Sequence, residues 1–563
     1  MGPWRHLAGR FGGITFWSAS TKFSKCSRVA SAEGSSSSWS SAAKQLTVFE
    51  RSKDQGHQRT YSHVLGVPGM LVLGLGANQI LAEELRNKTS PPREGSILNE
   101  GPVLHLSDEG LIASQPGEAP SNSHTAKWRI YTDMGRDLFS KGRLDEAEKY
   151  FIHALEEAKK GFGENDPHVA SSCNNLAELY RMKKDYARAE PLFLEAVKRL
   201  ESAFSSENHE SVGFALHNLA GTYLLQRKFD EARKCYERSL KIKERKLGQN
   251  HPEYANTLFH LGEVLRLQGN YKDAEELIRD SIRILEEGGV GHSQTTIRRM
   301  GRLVEILTLT GQMQEAENLQ RKILHVLELS QGVEATNTTM AAENLAGTLQ
   351  AVGKLKDAEE LLQRCFQVRQ KILPPNHIQL GVTMFKLASV IIQRGDMIVS
   401  DKGGSNISEA KLEYETAEEL LQRAIRIAER CWKESSGARG PISLRAGPLI
   451  SLLRSLDAFG RLKIRKLELA TAPEEIMEGT KEAEKSFLQC LYILDKSDLP
   501  QELASIPEVR RQHIACLRHL AGLLSSSSYV NKNPTTKQQI DQLLSRSESV
   551  EAELRDSTKV LKN

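Results

Sequence analysis

An alanine set in an acidic word, Asp145-Glu-Ala-Glu148, returns along the chain as if on a ruler. It stands at Ala147, Ala189, Ala232, Ala274, Ala316 and Ala358, with spacings of 42, 43, 42, 42 and 42 residues. A constant period in this range marks a solenoid, in which each unit is too small to bury its own apolar face and covers it with its neighbours.

Each period holds two helical stripes. In Cys173-Asn-Asn-Leu-Ala-Glu-Leu-Tyr180 the apolar Leu176, Leu179 and Tyr180 fall three or four apart on one face, beside the small Ala177. A break follows at Lys184-Asp185, and then Tyr186, Ala189, Phe193, Ala196 and Val197 mark a second stripe. The same word recurs as Leu219-Ala220, Tyr223, Phe229, Ala232, Tyr236 and as Leu345-Ala346, Leu349, Leu355, Ala358, Leu362. Gly142, Gly269, Gly311, Gly353 and Gly395 are expected in the turn between the two helices, where a left-handed backbone costs another residue about 1 kcal/mol. Ala177, Ala220, Gly262 and Ala346 each face a later alanine and let the helices cross closely. The expected fold class is all-α, a solenoid of antiparallel helix pairs.

These segments resemble the tetratricopeptide repeat, in its longer kinesin-light-chain form, and suggest an organelle-targeted relative of that type. The resemblance is carried by Leu247-Gly-Gln-Asn-His-Pro-Glu-Tyr-Ala255 between units, and by Asn174-Asn-Leu-Ala-Glu-Leu-Tyr180 and His217-Asn-Leu-Ala-Gly-Thr-Tyr223 within them. It spans about Trp128 to Trp432. It implies a right-handed superhelix whose first helices line a concave groove for extended peptides or partner helices.

About seven repeats are expected over 128–432, followed by divergent helical pairs and a C-terminal cap over 433–563. From Gly395 to Ala417 is 22 residues where the other units need five, which places an insertion of about 17 residues near 396–415 in the inter-helix turn. A loop that long is either mobile or functional. Beyond it, Leu449 to Leu469 with Lys481 to Leu494, and Val509 to Leu524 with Gln538 to Leu554, read as two further pairs.

The other end differs in kind. Residues 1–60 carry nine Lys or Arg against three acids, a net +6, and the run Ser35-Ser-Ser-Ser38. Removing that charge from the whole-chain +4 leaves the rest near −2. A basic, Ser-rich, acid-poor leader has the composition of a transit peptide. Its spread arginines and Arg59-Thr-Tyr-Ser62 point to the mitochondrion, with the plastid and then the cytoplasm as alternatives. Residues 61–82 form an uncharged hydrophobic stretch, and 64–82 is nearly long enough to associate with a membrane. It is nevertheless rich in glycine and holds Pro68. Residues 83–127, with Pro91-Pro92, Pro116 and Pro120, read as a flexible linker.

No chemistry-bearing constellation emerges, so neither catalytic residue, metal ligand nor cofactor is expected. Seven cysteines without a Cys-x-x-Cys pair argue against zinc ribbons and a disulfide scaffold. Cys235 and Cys365 fall on apolar faces, as small buried hydrophobes do. His168, His209, His251, His292 and His377 recur between units beside helix starts, where turn and capping duty is expected. Gly74-x-Gly76 is not followed by a glycine at 79, so the dinucleotide fingerprint fails.

One position on the first helix, just before the Leu-Ala word, stays polar through seven units: Asp133, Asn175, Asn218, His260, Arg302, Asn344 and Lys386. Asparagine donates and accepts at once, so such a ladder suits the backbone of an extended ligand. It equally suits bracing of the neighbouring unit. Arg129, Asn256 and Arg298 lie one turn earlier, and Arg181 and Arg266 one to two turns later. With them the groove is mixed in charge with basic points, suited to acidic or C-terminal peptides.

The expected function is therefore a non-catalytic protein-interaction scaffold or adaptor inside an organelle. Two alternatives stay open. A cytosolic motor-cargo adaptor of the kinesin-light-chain kind needs heptads before the repeats, where 83–127 is rich in Gly and Pro. An organellar RNA-binding repeat needs a basic groove, where the repeat region is about neutral, which argues against RNA and against DNA.

Overall fold

The computed structural model describes residues 122–560 apart from 205, 207, 401–405, 437–441, 496–498 and 526–533. The chain divides into two units, Met1–Pro68 and Gly69–Asn563, and every described residue lies in the second. The leader, the hydrophobic stretch 61–82 and all but the end of the linker therefore lie outside the described residues. That end is helical rather than loose. Asn122 caps the first helix, its side chain accepting from the His124 and Thr125 amides while the Thr125 hydroxyl bonds back, which satisfies amides that open a helix unpaired.

Nineteen helices and no strand are present among the described residues. They run as pairs: α1 (Ser123–Ser140) with α2 (Leu144–Phe162), α3 (Pro167–Met182) with α4 (Tyr186–Ala203), and α5 (Glu210–Leu225) with α6 (Phe229–Leu247). Next come α7 (Pro252–Leu267) with α8 (Tyr271–Glu287), α9 (Gln294–Leu309) with α10 (Met313–Gln331), and α11 (Thr336–Val352) with α12 (Leu355–Ile372). The seventh pair is α13 (Ile378–Ser400) with α14 (Ile407–Ser436). After it stand α15 (Ile442–Glu468), α16 (Pro473–Asp495), the single turn α17 (Gln501–Ala504), α18 (Pro507–Ser525) and α19 (Pro534–Val560). Each helix packs mainly on its chain neighbours, with α3 also touching α5 and α5 touching α7. This is the near-neighbour pattern of a solenoid.

The turn inside each unit has one geometry. Gly142, Gly269, Gly311 and Gly353 take positive φ of 74°, 85°, 81° and 85°. Lys184 and Arg227 occupy the same place in the other two units, at φ 63° and 62°. The backbone position, more than the glycine, is what repeats. Where the two helices cross, a Cβ on Gly262 would stand 2.7 Å from Ile278 Cγ1, and one on Gly135 2.6 Å from the Phe151 ring. Ala177 and Ala220 at the matching places are fully buried.

Most of the insertion is helix: α13 continues through Gly395 to Ser400 and α14 begins at Ile407, while 401–405 lie outside the described residues. Gly395 therefore does not sit in a turn. It lies in α13, where a Cβ would meet the Tyr414 ring at 2.5 Å, and the Tyr414 hydroxyl donates to Asp396 at 2.7 Å.

A second regularity joins one unit to the next. The glutamate after the periodic alanine accepts from the following unit: Glu148 from Tyr180 at 2.9 Å, Glu190 from Gln226 at 3.0 Å, Glu275 from Gln312 at 2.8 Å. Glu317 accepts from Lys354 at 2.8 Å, Glu359 from Arg394, and Glu418 from Lys463 at 2.6 Å. In the third unit Arg233 holds that place, and Asp230 accepts from Gln268 at 2.9 Å instead.

The C-terminal helices close a separate apolar core around Leu449, Leu453, Phe487, Leu517 and Leu520. Here one expectation is corrected: Cys490 and Cys516 form a disulfide between α16 and α18. One link is not a scaffold, but cysteine spacing gave no sign of it. Cys173, Cys235, Cys365 and Cys431 are free. Burial pushes the Cys173 and Cys365 thiols up to about 12 and that of Cys235 to about 11.

Candidate functional site: the first-helix face

The first helices α3, α5 and α7 are buried over most of their length by the second helices around them. The polar ladder therefore divides. Asn175, Asn218 and His260 are only 4%, 9% and 4% exposed. Arg302 and Lys386 are half-buried, and Asn344 and Asp133 are exposed. One turn earlier, Arg129 is exposed while Asn256 and Arg298 are half-buried.

Several of these side chains brace the stack. Asn218 Nδ2 donates to Asn174 Oδ1 of the preceding unit at 2.9 Å. Lys386 pairs with Glu343 at 2.8 Å. Arg302 lies 3.7 Å from Glu263 and 3.0 Å from Glu305. Asn256 Oδ1 accepts from Arg299 at 3.1 Å. Bracing thus falls on some rungs and not on others.

Arg181 and Arg266 do not supply free basic points. Both are buried against a carboxylate three residues earlier, Arg181 on Glu178 and Arg266 on Glu263, the latter through two bonds of 3.1 Å. Burial opposes the Glu263 charge, but Arg266 and Arg302 hold its carboxyl below the usual range.

At the middle of the face lies a polar core that the sequence did not disclose. His217 Nδ1 meets Thr257 Oγ1 at 3.1 Å, and Lys243 from α6 reaches the same hydroxyl at 3.0 Å and Glu253 at 3.2 Å. Arg299 enters from α9, donating to Ala255 O at 3.1 Å and Ser281 Oγ at 2.5 Å, 5.0 Å from the Phe259 ring centre. Burial pulls the Lys243 ammonium down to about 8, its ion pair with Glu253 opposing. Burial, followed by the Arg299 charge, takes His260 down to about 3, and burial with Lys243 nearby holds His217 well below its ordinary value. Both rings are neutral at neutral pH. The adjacent pair Arg298-Arg299 carried a signal, but sequence alone does not say which arginine turns inward. Lys243 carried none, since it sits in the charged run Lys241-Ile-Lys-Glu-Arg245.

Polar atoms on this face also stand without a hydrogen-bond partner: Thr132 Oγ1 on α1, Ser171 Oγ, Asn174 Nδ2 and Asn175 Oδ1 on α3, and His260 Nδ1 on α7. Three of the tempting histidines are helix caps: His209, His251 and His377 accept on Nδ1 from the amide two residues on, at 3.3, 3.1 and 3.2 Å. Among the described residues no group of three or more His, Cys, Asp or Glu is placed to hold a metal ion, and no helix is long and apolar enough to cross a membrane.

Two tetratricopeptide-repeat families match this array, one over residues 129–202 and 211–287, the other over 338–379. The segments so matched read as tetratricopeptide repeats. Among solved structures, the nearly identical TPR-like repeats of a Podosopora anserina protein described as a kinesin light chain are 22% identical, covering 37% of this chain and 97% of that one at a TM-score of 0.33. BtubC from P. vanneervenii is 16% identical over 53% of this chain and 94% of its own, at 0.25. The apo form of RapI is 12% identical over 77% and 99%, at 0.48. No curated protein matches the chain.

Proposed function

We propose that this protein is a non-catalytic scaffold that binds an extended peptide or partner helix along its first-helix face, inside an organelle and by preference the mitochondrion. Tetratricopeptide repeats generally bind protein or peptide partners, and the repeats supply that coarse function. One observation supports a ligand on this face: the polar rungs Asp133 and Asn344, with Arg129 one turn before the first of them, are exposed and lend their side chains to no neighbouring unit among the described residues. Such groups offer an extended ligand donors and acceptors at the surface. With Arg181, Arg266 and Lys386 neutralised by glutamates, an acidic preference rests on exposed Arg129.

The test separates binding from bracing. Arg129→Ala and Asn344→Ala remove exposed side chains that brace no neighbouring unit, so the double variant keeps the wild-type melt. Partner capture from isolated mitochondria is expected to fall about 5- to 100-fold, from about 0.5–1.5 kcal/mol per lost bond. An early melt with unchanged capture per folded molecule sinks this reading. For location, residues 1–90 fused to a fluorescent protein are expected in mitochondria, and removal of 1–60 leaves the protein cytosolic. A uniformly cytosolic fusion restores the motor-adaptor alternative.

A further inference from the structure

The C-terminal region gathers reactive groups that the binding role does not use. Cys490 on α16 and Cys516 on α18 are joined, and both are fully buried. Asp457, on α15 and 4% exposed, lies against them: its Oδ1 is 3.9 Å from Cys516 Sγ and 2.6 Å from His519 Nδ1. Its Oδ2 accepts from Arg461 Nε at 3.1 Å. His519, one turn after Cys516, has 36% of its side chain in solvent. A carboxylate in an apolar core, with sulfur on one side and a solvent-reaching imidazole on the other, makes a proton path.

We infer that Cys490 and Cys516 are a reversible thiol–disulfide lock between α16 and α18, with Asp457 passing the Cys516 proton to and from solvent through His519. In the opening direction the thiolate of an external dithiol attacks Cys490 Sγ. The S–S bond breaks, its electron pair leaves on Cys516 Sγ, and that sulfur takes a proton delivered from His519 by way of Asp457. The second thiol of the dithiol, as thiolate, then attacks the mixed disulfide and releases Cys490, which is protonated from water. The dithiol leaves as its own disulfide, so two electrons and two protons are gained by the protein and no other oxidant or reductant enters. Closing reverses these steps, with a small disulfide as oxidant and Asp457 as the base that withdraws the Cys516 proton.

Two further observations fit. Burial raises the Asp457 carboxyl, but His519 and Arg461 outweigh it and keep the group a proton acceptor. Both sulfurs are sealed from solvent, so exchange proceeds from openings that expose Cys490 on α16 while Asp457, Cys516 and His519 stay together. The disulfide closes a 26-residue separation and restrains the open chain; its loss releases α18 and α19, whereas the repeats are held by other contacts.

The test uses the full chain with dithiothreitol as the dithiol, alkylation and peptide mapping, and amide hydrogen exchange. Without reductant the peptides holding Cys490 and Cys516 are expected to be cross-linked. With it, two thiols appear and protection across 507–560 falls at least about tenfold, while 167–352 is unchanged. Cys516→Ser is expected to show the low protection with or without dithiothreitol. Asp457→Asn is expected to slow reduction roughly tenfold or more. A loosened core would open more often and speed reduction, so a slower rate isolates proton transfer. Alkylation of both cysteines without reductant overturns the lock, as does protection that reduction leaves unchanged. Reduction of Asp457→Asn at or above the wild-type rate overturns the role of the carboxylate. Should Cys516→Ser not fold, the wild-type protein with and without dithiothreitol decides the matter alone.

Discussion

The seven-unit array and the C-terminal region are both stacked helices, yet they are held in different ways. In the array most joints are copies: a left-handed turn residue, a small residue at the crossing, and a glutamate accepting from the next unit. In 442–560 nothing repeats. One apolar core, one disulfide and polar links such as the half-buried Asp457–His519 pair hold helices of unequal length. Many small equal joints make a structure that fails unit by unit, whereas a single core fails at once.

The sharpest way to break this contrast is at a buried ion pair of the array. Glu343 accepts from Arg369, from Thr383 at 2.8 Å and from Lys386 at 2.8 Å. Glu343→Ala leaves Arg369 buried and uncompensated, and is expected to destabilise by about 3–5 kcal/mol. Hydrogen exchange should localise the loss to α11–α14; equal loss across 442–560 would show that the two regions unfold as one.

Acid comes next. His217 and His260 are held neutral in the fold, so the unfolded chain binds protons first as pH falls below about 6.5. His260 then subtracts about 1.4 kcal/mol per pH unit, about 2 kcal/mol by pH 5, and His217 acts in the same direction. In the C-terminal region Asp457 has its pKa lowered, so its contribution persists above the ordinary carboxylate range and is lost only below it. Denaturant melts from pH 7 to 5 are expected to weaken α5–α8 first, and His260→Gln should flatten the slope.

The same steric insult can be given to both regions. Ala220→Leu in the array and Gly460→Leu, whose first added carbon would stand 2.6 Å from the Phe487 ring, are each expected to cost about 1–3 kcal/mol. The first should lower protection in α5, α6 and their neighbours only; the second should lower it throughout 442–525. A stabilising change closes the series. Lys184→Gly relieves a left-handed backbone and is expected to gain about 0.5–1 kcal/mol in a melt, while Lys183→Gly, one residue earlier at φ −75°, gains nothing.

What could be read from the sequence follows the same division. The period of Ala147 through Ala358 gave the helix pairs because every unit repeats the evidence. The turn at Lys184 and Arg227 was legible only by phase, since neither residue prefers positive φ. The helical parts of the insertion were hidden because Gly403-Gly404 and Asn406 read as a loop in the sequence and obscured the helical spacing on either side. At the candidate site the polar rungs were visible, but burial was not: whether Asn175 or Asn344 meets solvent depends on how deeply neighbouring helices cover each unit. The Cys490–Cys516 link joins two helices of the aperiodic region, where no spacing rule operates.

The glutamates that follow the periodic alanines have a consequence for how such a chain can be edited. Glu275 and Glu317 stand 42 residues apart, and so do their partners Gln312 and Lys354. Excising 276–317 would bring Glu275 opposite Lys354 with the acceptor and donor roles intact. The two junctions at Glu275 and Glu317 share a 37-residue spacing, so the unit between them can be lost or duplicated without a mismatched seam. At the junction of the third unit, where Arg233 stands and Asp230 takes the role, such an exchange would not restore the bond.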